Sequence, residues 1–65
     1  MIVRVNADDL EVDDHTTVAA LVQSLGYPDR GIAVAVDEAV LPRSSWATAL
    51  SDGANIEVVT AVQGG

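Results

Sequence analysis

The 65-residue sequence has no cysteine, no lysine and no phenylalanine, and only one tryptophan and one tyrosine. Without cysteine there is no disulfide staple and no thiolate metal site, two devices on which small domains often rely. The single histidine, His15, cannot assemble a zinc site alone. No apolar run approaches the roughly 18 residues needed to span a membrane. The opening Met1-Ile2-Val3-Arg4-Val5 lacks the basic, long apolar and cleavage regions of a signal peptide, so the expectation is an unprocessed cytoplasmic protein. Basic charge is scarce too. Three arginines face ten acids, for a formal charge of −7 and a pI near 4.1. That balance repels phosphate backbones and anionic membranes, which argues against nucleic-acid or membrane binding. It suits solubility and steering toward basic protein partners.

What is present is aliphatic: hydrophobic residues make up 49% of the chain. A domain this short buries only about 60% of its unfolded surface, so residues 1–65 must share one compact core. Met1, Val3 and Val5 alternate with Ile2, Arg4 and Asn6, the period of a strand with one buried face. Asn6-Ala7-Asp8-Asp9 supplies turn residues, and Leu10-Glu11-Val12-Asp13 alternates again. The first thirteen residues therefore predict a hairpin, with Leu10 and Val12 inward and Asp9, Glu11 and Asp13 outward. Thr16 or Thr17 can cap a helix whose apolar stripe is Val18, Leu21, Val22 and Leu25. Gly26 and Pro28 stop it after about ten residues, too few to stand alone in water, so it must lie on a sheet.

Residues 31–36 are rich in β-branched side chains, uncharged and the clearest strand. Asp37-Glu38 turns the chain, Ala39-Val40-Leu41 returns, and Pro42 ends the run. Residues 43–50 read as irregular or one short helical turn, anchored by Trp46 and Leu50. After the turn Ser51-Asp52-Gly53, residues 55–59 form a last strand with Ile56 and Val58 inward. Residues 60–65 remain as an extended, flexible tail. Hairpin, helix, two short strands, link and last strand predict an α+β fold. It is a small mixed sheet with one helix on one face, the ubiquitin-like β-grasp.

Chemistry is sparse along most of this chain. His15 with Asp13, Asp14, Ser44 and Ser45 contains the residue types of a hydrolase triad. No nucleophile elbow or oxyanion signature frames them, so His15 reads as an exposed loop residue and the protein as no enzyme. Asp8, Asp9, Glu11, Asp13 and Asp14 lack the glycine and closing glutamate of a calcium loop. They read as a solvated strand face that discourages edge association, with no metal held. Trp46 beside Arg43 reads first as a plug for the sheet's open end and second as a binding hot spot.

The remaining feature is the terminal Gly64-Gly65. Six extended residues reach roughly 20 Å beyond a domain. Without Cβ atoms, the two glycines can enter a channel too narrow for side chains. Such a tail suits delivery of a carboxylate into another protein's active site.

Together these residues resemble the ThiS family, the sulfur carriers of thiamine biosynthesis. The resemblance rests on Thr17-Val18-Ala19 with Leu21, on Gly31-Ile32-Ala33-Val34-Ala35-Val36, and above all on Leu41-Pro42-Arg43-Ser44-Ser45-Trp46-Ala47. Asp52-Gly53 and Val62-Gln63-Gly64-Gly65 complete it. Departures are local: Asn6-Ala7 and Asp37-Glu38 stand where an asparagine–glycine turn is common, so less favoured turns are expected there. Ala20 replaces the acid of a capping box.

The resemblance implies that Gly65 is adenylated by a ThiF-like adenylyltransferase using ATP and magnesium, with no cofactor bound by this chain. A persulfide derived from a cysteine desulfurase then leaves a thiocarboxylate, and thiazole synthase (ThiG) takes its sulfur. Gly64, Gln63 and Val62 would thread into the partners, and Val59 and Ala61 would belong to the partner surface of a carrier that is monomeric when free. The alternatives are the small subunit of molybdopterin synthase and a ubiquitin-like protein modifier.

Overall fold

Strand β1 (Ile2–Val5) forms where the alternation begins, burying Val3 and Val5 and exposing Ile2 and Arg4. In this computed structural model, which describes residues 1–28 and 30–60, four more strands and one helix follow. They are β2 (Asp8–Glu11), α1 (Val18–Ser24), β3 (Ile32–Val36), β4 (Ala39–Val40) and β5 (Asn55–Thr60), with a 3₁₀ turn at Arg43–Ser45 before β5. The sheet order is β2-β1-β5-β3-β4. β1 and β5 run parallel, and every other neighbouring pair runs antiparallel. The expected mixed sheet with a helix on one face is therefore the observed fold.

Both hairpins turn on two residues with positive φ: Asn6 (49°) and Ala7 (73°), Asp37 (51°) and Glu38 (73°). Two left-handed residues are what a two-residue hairpin loop of the favoured hand requires. The turns themselves are thus the favoured kind, and the unfavourable feature is the Cβ at Ala7 and Glu38. Because the loop closes in two residues, β2 starts at Asp8, earlier than the turn residues Asp8 and Asp9 suggest. A left-handed conformation costs a residue with a Cβ about 1–2 kcal/mol. Ala7→Gly and Glu38→Gly should each raise stability by about 0.5–1 kcal/mol, the relief less glycine's greater unfolded entropy. Urea unfolding measures this, and a loss of stability in both variants would contradict the turn assignment.

The helix is seven residues long, shorter than the stripe suggests. Of the two candidate caps, Thr17 is the one used: its Oγ1 accepts from the Ala20 N–H at 3.1 Å. The Ala19 N–H donates to the Trp46 carbonyl at 3.1 Å, tying the helix start to the link before β5. At the other end Tyr27 N–H donates to the Val22 carbonyl and Gly26 N–H to that of Gln23, with Gly26 at φ 86°. This paired closure is the Schellman arrangement. It also corrects the stripe, because Leu25 becomes the cap and stays 40% exposed. Tyr27, carried back by the turn, packs on the core instead.

The core joins Val3, Val5, Val34, Ile56 and Val58 of the sheet to Val18, Leu21 and Val22 of the helix, with Ala54. Trp46 and Leu50 close it, as their spacing in the link suggests. The last strand runs one residue further than expected. Thr60 pairs with Ile32, so the presumed tail loses its first residue to β5, whose β-branched residues fit the ladder. Residues 61–65 lie outside the described residues.

Candidate functional site

β5 is the central strand, and it leads directly into the chain's last five residues. On one side it pairs with β3 along five positions, from Val36 opposite Ile56 to Ile32 opposite Thr60. On the other side β1 pairs with it only at Asn55 and Ile56, because β1 turns away after Val5. Side chains continue where the backbone stops. Asn6 Oδ1 accepts from the Val58 N–H at 2.9 Å, and its Nδ2 donates to the Val58 carbonyl at 3.3 Å and to Tyr27 Oη at 3.2 Å. At the start of β5, Asp37 Oδ1 accepts from the Asn55 N–H at 3.0 Å. The Asp37 N–H in turn donates to the Asn55 carbonyl at 2.7 Å. The first residue of each tight turn thus grips the central strand, satisfying backbone groups that would otherwise lack partners.

The face of the sheet away from the helix carries the candidate partner surface. Val59, named from sequence, is 61% exposed there, opposite Ala33. Val40 is 75% exposed, and with Ala33, Ala35 and Val59 it lines a shallow apolar depression bordered by Glu38 and Glu57. The alternation in β3 makes the outward alanines legible in the sequence; the contribution of β4 appears only once strand order is known. Ala61, Val62, Gln63, Gly64 and Gly65, the other residues singled out for the tail, lie outside the described residues.

The catalytic alternative does not assemble. His15 is exposed before α1, Ser44 and Ser45 sit in the 3₁₀ turn, and among the described residues no hydrogen bond joins His15 to either serine. Among the described residues no three His, Cys, Asp or Glu side chains group as metal ligands. The acids of β2 face solvent, where Asp9 pairs with Arg4 at 3.0 Å. An exposed pair of that kind contributes little to stability. Trp46 is 7% exposed and donates its Nε1–H to the Leu41 carbonyl at 3.1 Å. Arg43 lies over its ring at 5.2 Å. Of the two readings for Trp46, the structure selects the plug.

The arrangement anchors the strand that precedes the last five residues, and among the described residues the histidine and serines of the catalytic alternative are not joined. No curated protein matches the sequence. The crystal structure of a thiamine biosynthesis protein (ThiS) from Geobacter metallireducens superposes with a TM-score of 0.80 at 28% identity, covering 100% of both chains. A solution NMR structure of a thiamine biosynthesis protein from the same organism gives 0.78 at 28% identity, covering 100% of this chain and 88% of that one. The pattern of the ThiS family matches residues 3–65, which takes in all of the sheet but Ile2, the helix and the terminal diglycine. With fold and sequence in agreement, the chain belongs to the ThiS family of small sulfur carriers in thiamine biosynthesis.

Proposed function

We propose that this carrier works through the carboxyl group of Gly65, which is adenylated, converted to a thiocarboxylate and used to donate sulfur for thiazole ring formation. The observation that carries the reading is the anchorage of β5 through Thr60, five residues before a chain end of Gly64-Gly65. Five extended residues span at most about 17 Å, enough to enter a partner's active site while the domain docks outside.

A free α-carboxylate, with a reference pKa of about 3.5, is ionised at neutral pH and a poor electrophile. In the ThiF-like partner, a Gly65 carboxylate oxygen attacks the α-phosphate of magnesium-bound ATP. Pyrophosphate leaves, and the product is an acyl-adenylate. A persulfide sulfur supplied from a cysteine desulfurase then attacks the acyl carbon and expels AMP. Cleavage of the resulting acyl disulfide by a thiol leaves the thiocarboxylate and a new disulfide. Thiazole synthase takes the sulfur and returns the carboxylate for recharging. ATP and magnesium belong to the partner, and the carrier is a recharged cosubstrate.

Val59, with Val40, Ala33 and Ala35 beside it, forms the proposed docking surface, and Glu38 and Glu57 favour a partner with a basic rim. Gln63 and Val62 thread behind the diglycine, and Ala61 belongs to the proposed partner contact. The setting is cytoplasmic, and no helix among the described residues is long and apolar enough to cross a membrane. The molybdopterin-synthase alternative shares the chemistry, but the family match over residues 3–65 favours the thiazole pathway. Complementation tests the choice. Growth without thiamine should return to a strain lacking its thiazole sulfur carrier, while a strain lacking the molybdopterin carrier should remain deficient. Rescue of the second strain alone would overturn the assignment.

A further inference from the structure

We propose that Asn6 is a positioning residue for the C-terminal glycine: its side-chain amide pins β5 at Val58 and so fixes the anchor from which residues 61–65 reach a partner. This rests on the sulfur-carrier reading above. β1 would have to run two residues further in register to stand opposite Val58, yet the chain turns away at Asn6-Ala7. A carboxamide presents the same acceptor and donor as a peptide group, and Asn6 places its own where that missing peptide would lie. Its Oδ1 accepts from the Val58 N–H at 2.9 Å and its Nδ2 donates to the Val58 carbonyl at 3.3 Å. The second Nδ2 hydrogen goes to Tyr27 Oη at 3.2 Å, so the amide is also held from the end of α1. The opposite amide orientation would set a donor against the Val58 N–H and an acceptor against its carbonyl. Asn6 is therefore committed to one pose.

Val58 precedes Thr60, the last paired residue, by two positions. Losing the amide leaves this part of β5 held by β3 alone. The strand end then frays more readily, the tether lengthens, and the effective concentration of Gly65 at a partner's site falls. Most of the docking face, Ala33, Ala35 and Val40, lies on β3 and β4 and stays intact, and Val59 keeps its pairing partner Ala33 on β3. Binding of the carrier is spared and the placement of its chain end is not, so the defect belongs in kcat rather than KM.

Asn6→Gly is the decisive variant, because glycine keeps the left-handed turn and removes only the amide. The full chain would be assayed by ATP–pyrophosphate exchange with the adenylyltransferase, and by amide hydrogen exchange. Thr17→Ala, which removes the helix cap on another element, serves as a destabilised control. The expected result is Val58 amide exchange faster by about tenfold, kcat lower by about three- to tenfold, and a carrier KM within about twofold of wild type. Thr17→Ala should keep the wild-type kcat. Asn6→Asp, which turns an acceptor toward the Val58 carbonyl, should shift in the same direction and decides the matter if Asn6→Gly does not fold. An unchanged kcat despite faster Val58 exchange overturns the positioning role, as does an equal loss in Thr17→Ala. No exchange activity with the wild-type chain overturns the carrier reading itself, while Val58 protection still reports whether the clamp holds.

Discussion

Trp46→Ala is expected to remove a large share of the protein's stability at room temperature. Truncating a buried tryptophan typically costs about 3–5 kcal/mol. A domain of this length has only about 3–10 kcal/mol of total stability. Trp46 is 7% exposed and sits between the helix start and the link, where its own carbonyl holds the Ala19 N–H. Its removal opens a void that no neighbouring aromatic can fill, since the chain has no phenylalanine and Tyr27 is already engaged at the other end of α1. The Leu41 carbonyl also loses its indole donor. Trp46→Phe separates these contributions, keeping a ring and losing the N–H, at about 1–2 kcal/mol. Far-UV circular dichroism in urea is the suitable probe, because the variant removes the only tryptophan. Stability within about 1 kcal/mol of wild type would show that Trp46 is not the plug described here.

Gly64→Val is expected to do the opposite: leave the fold untouched and nearly abolish charging. Gly64 lies four residues past Thr60, the last residue paired in the β3–β5 ladder, so unfolding in urea should match wild type. A β-branched side chain at this position restricts the backbone torsions and widens a segment that, in the proposed function, threads a narrow channel. A misplacement near 1 Å at a reacting carboxylate costs about 100-fold in rate, and that is the loss expected in adenylate formation. Pyrophosphate release measures it. Charging at the wild-type rate would mean that the penultimate glycine is not used for threading.

Much of this architecture is written locally. Val3 and Val5, then Ile56 and Val58, alternate with more exposed neighbours, and period two places them on the core face. Thr17 and Gly26 mark the helix ends because capping and left-handed turns depend on near neighbours. The misjudged details depend on distant ones. Leu25 fits the apolar stripe, yet the Schellman turn brings Tyr27 to the core instead. β2 begins at Asp8 because Ala7 accepts a left-handed conformation that its Cβ disfavours, a cost met by the sheet as a whole.

The clamps on β5 were least legible. Asn6 and Val58 are 52 residues apart, and Asp37 and Asn55 are 18 apart. Their bonds exist only once β1, β3 and β5 lie side by side. In sequence both residues read as ordinary turn formers, which they also are. The proposed functional end is the reverse case: the terminal carboxyl group and its two glycines are named from the sequence without any coordinates.

The central claim is that sulfur is carried on Gly65, and intact mass spectrometry tests it most directly. The full chain is incubated with ATP, magnesium, the adenylyltransferase and a sulfur donor, beside a chain lacking Gly64-Gly65. The account predicts a gain equal to exchanging one oxygen for sulfur, localised to Gly65 and absent from the truncated chain, which still folds. The same gain in the truncated chain, or sulfur found on any other residue, would contradict it.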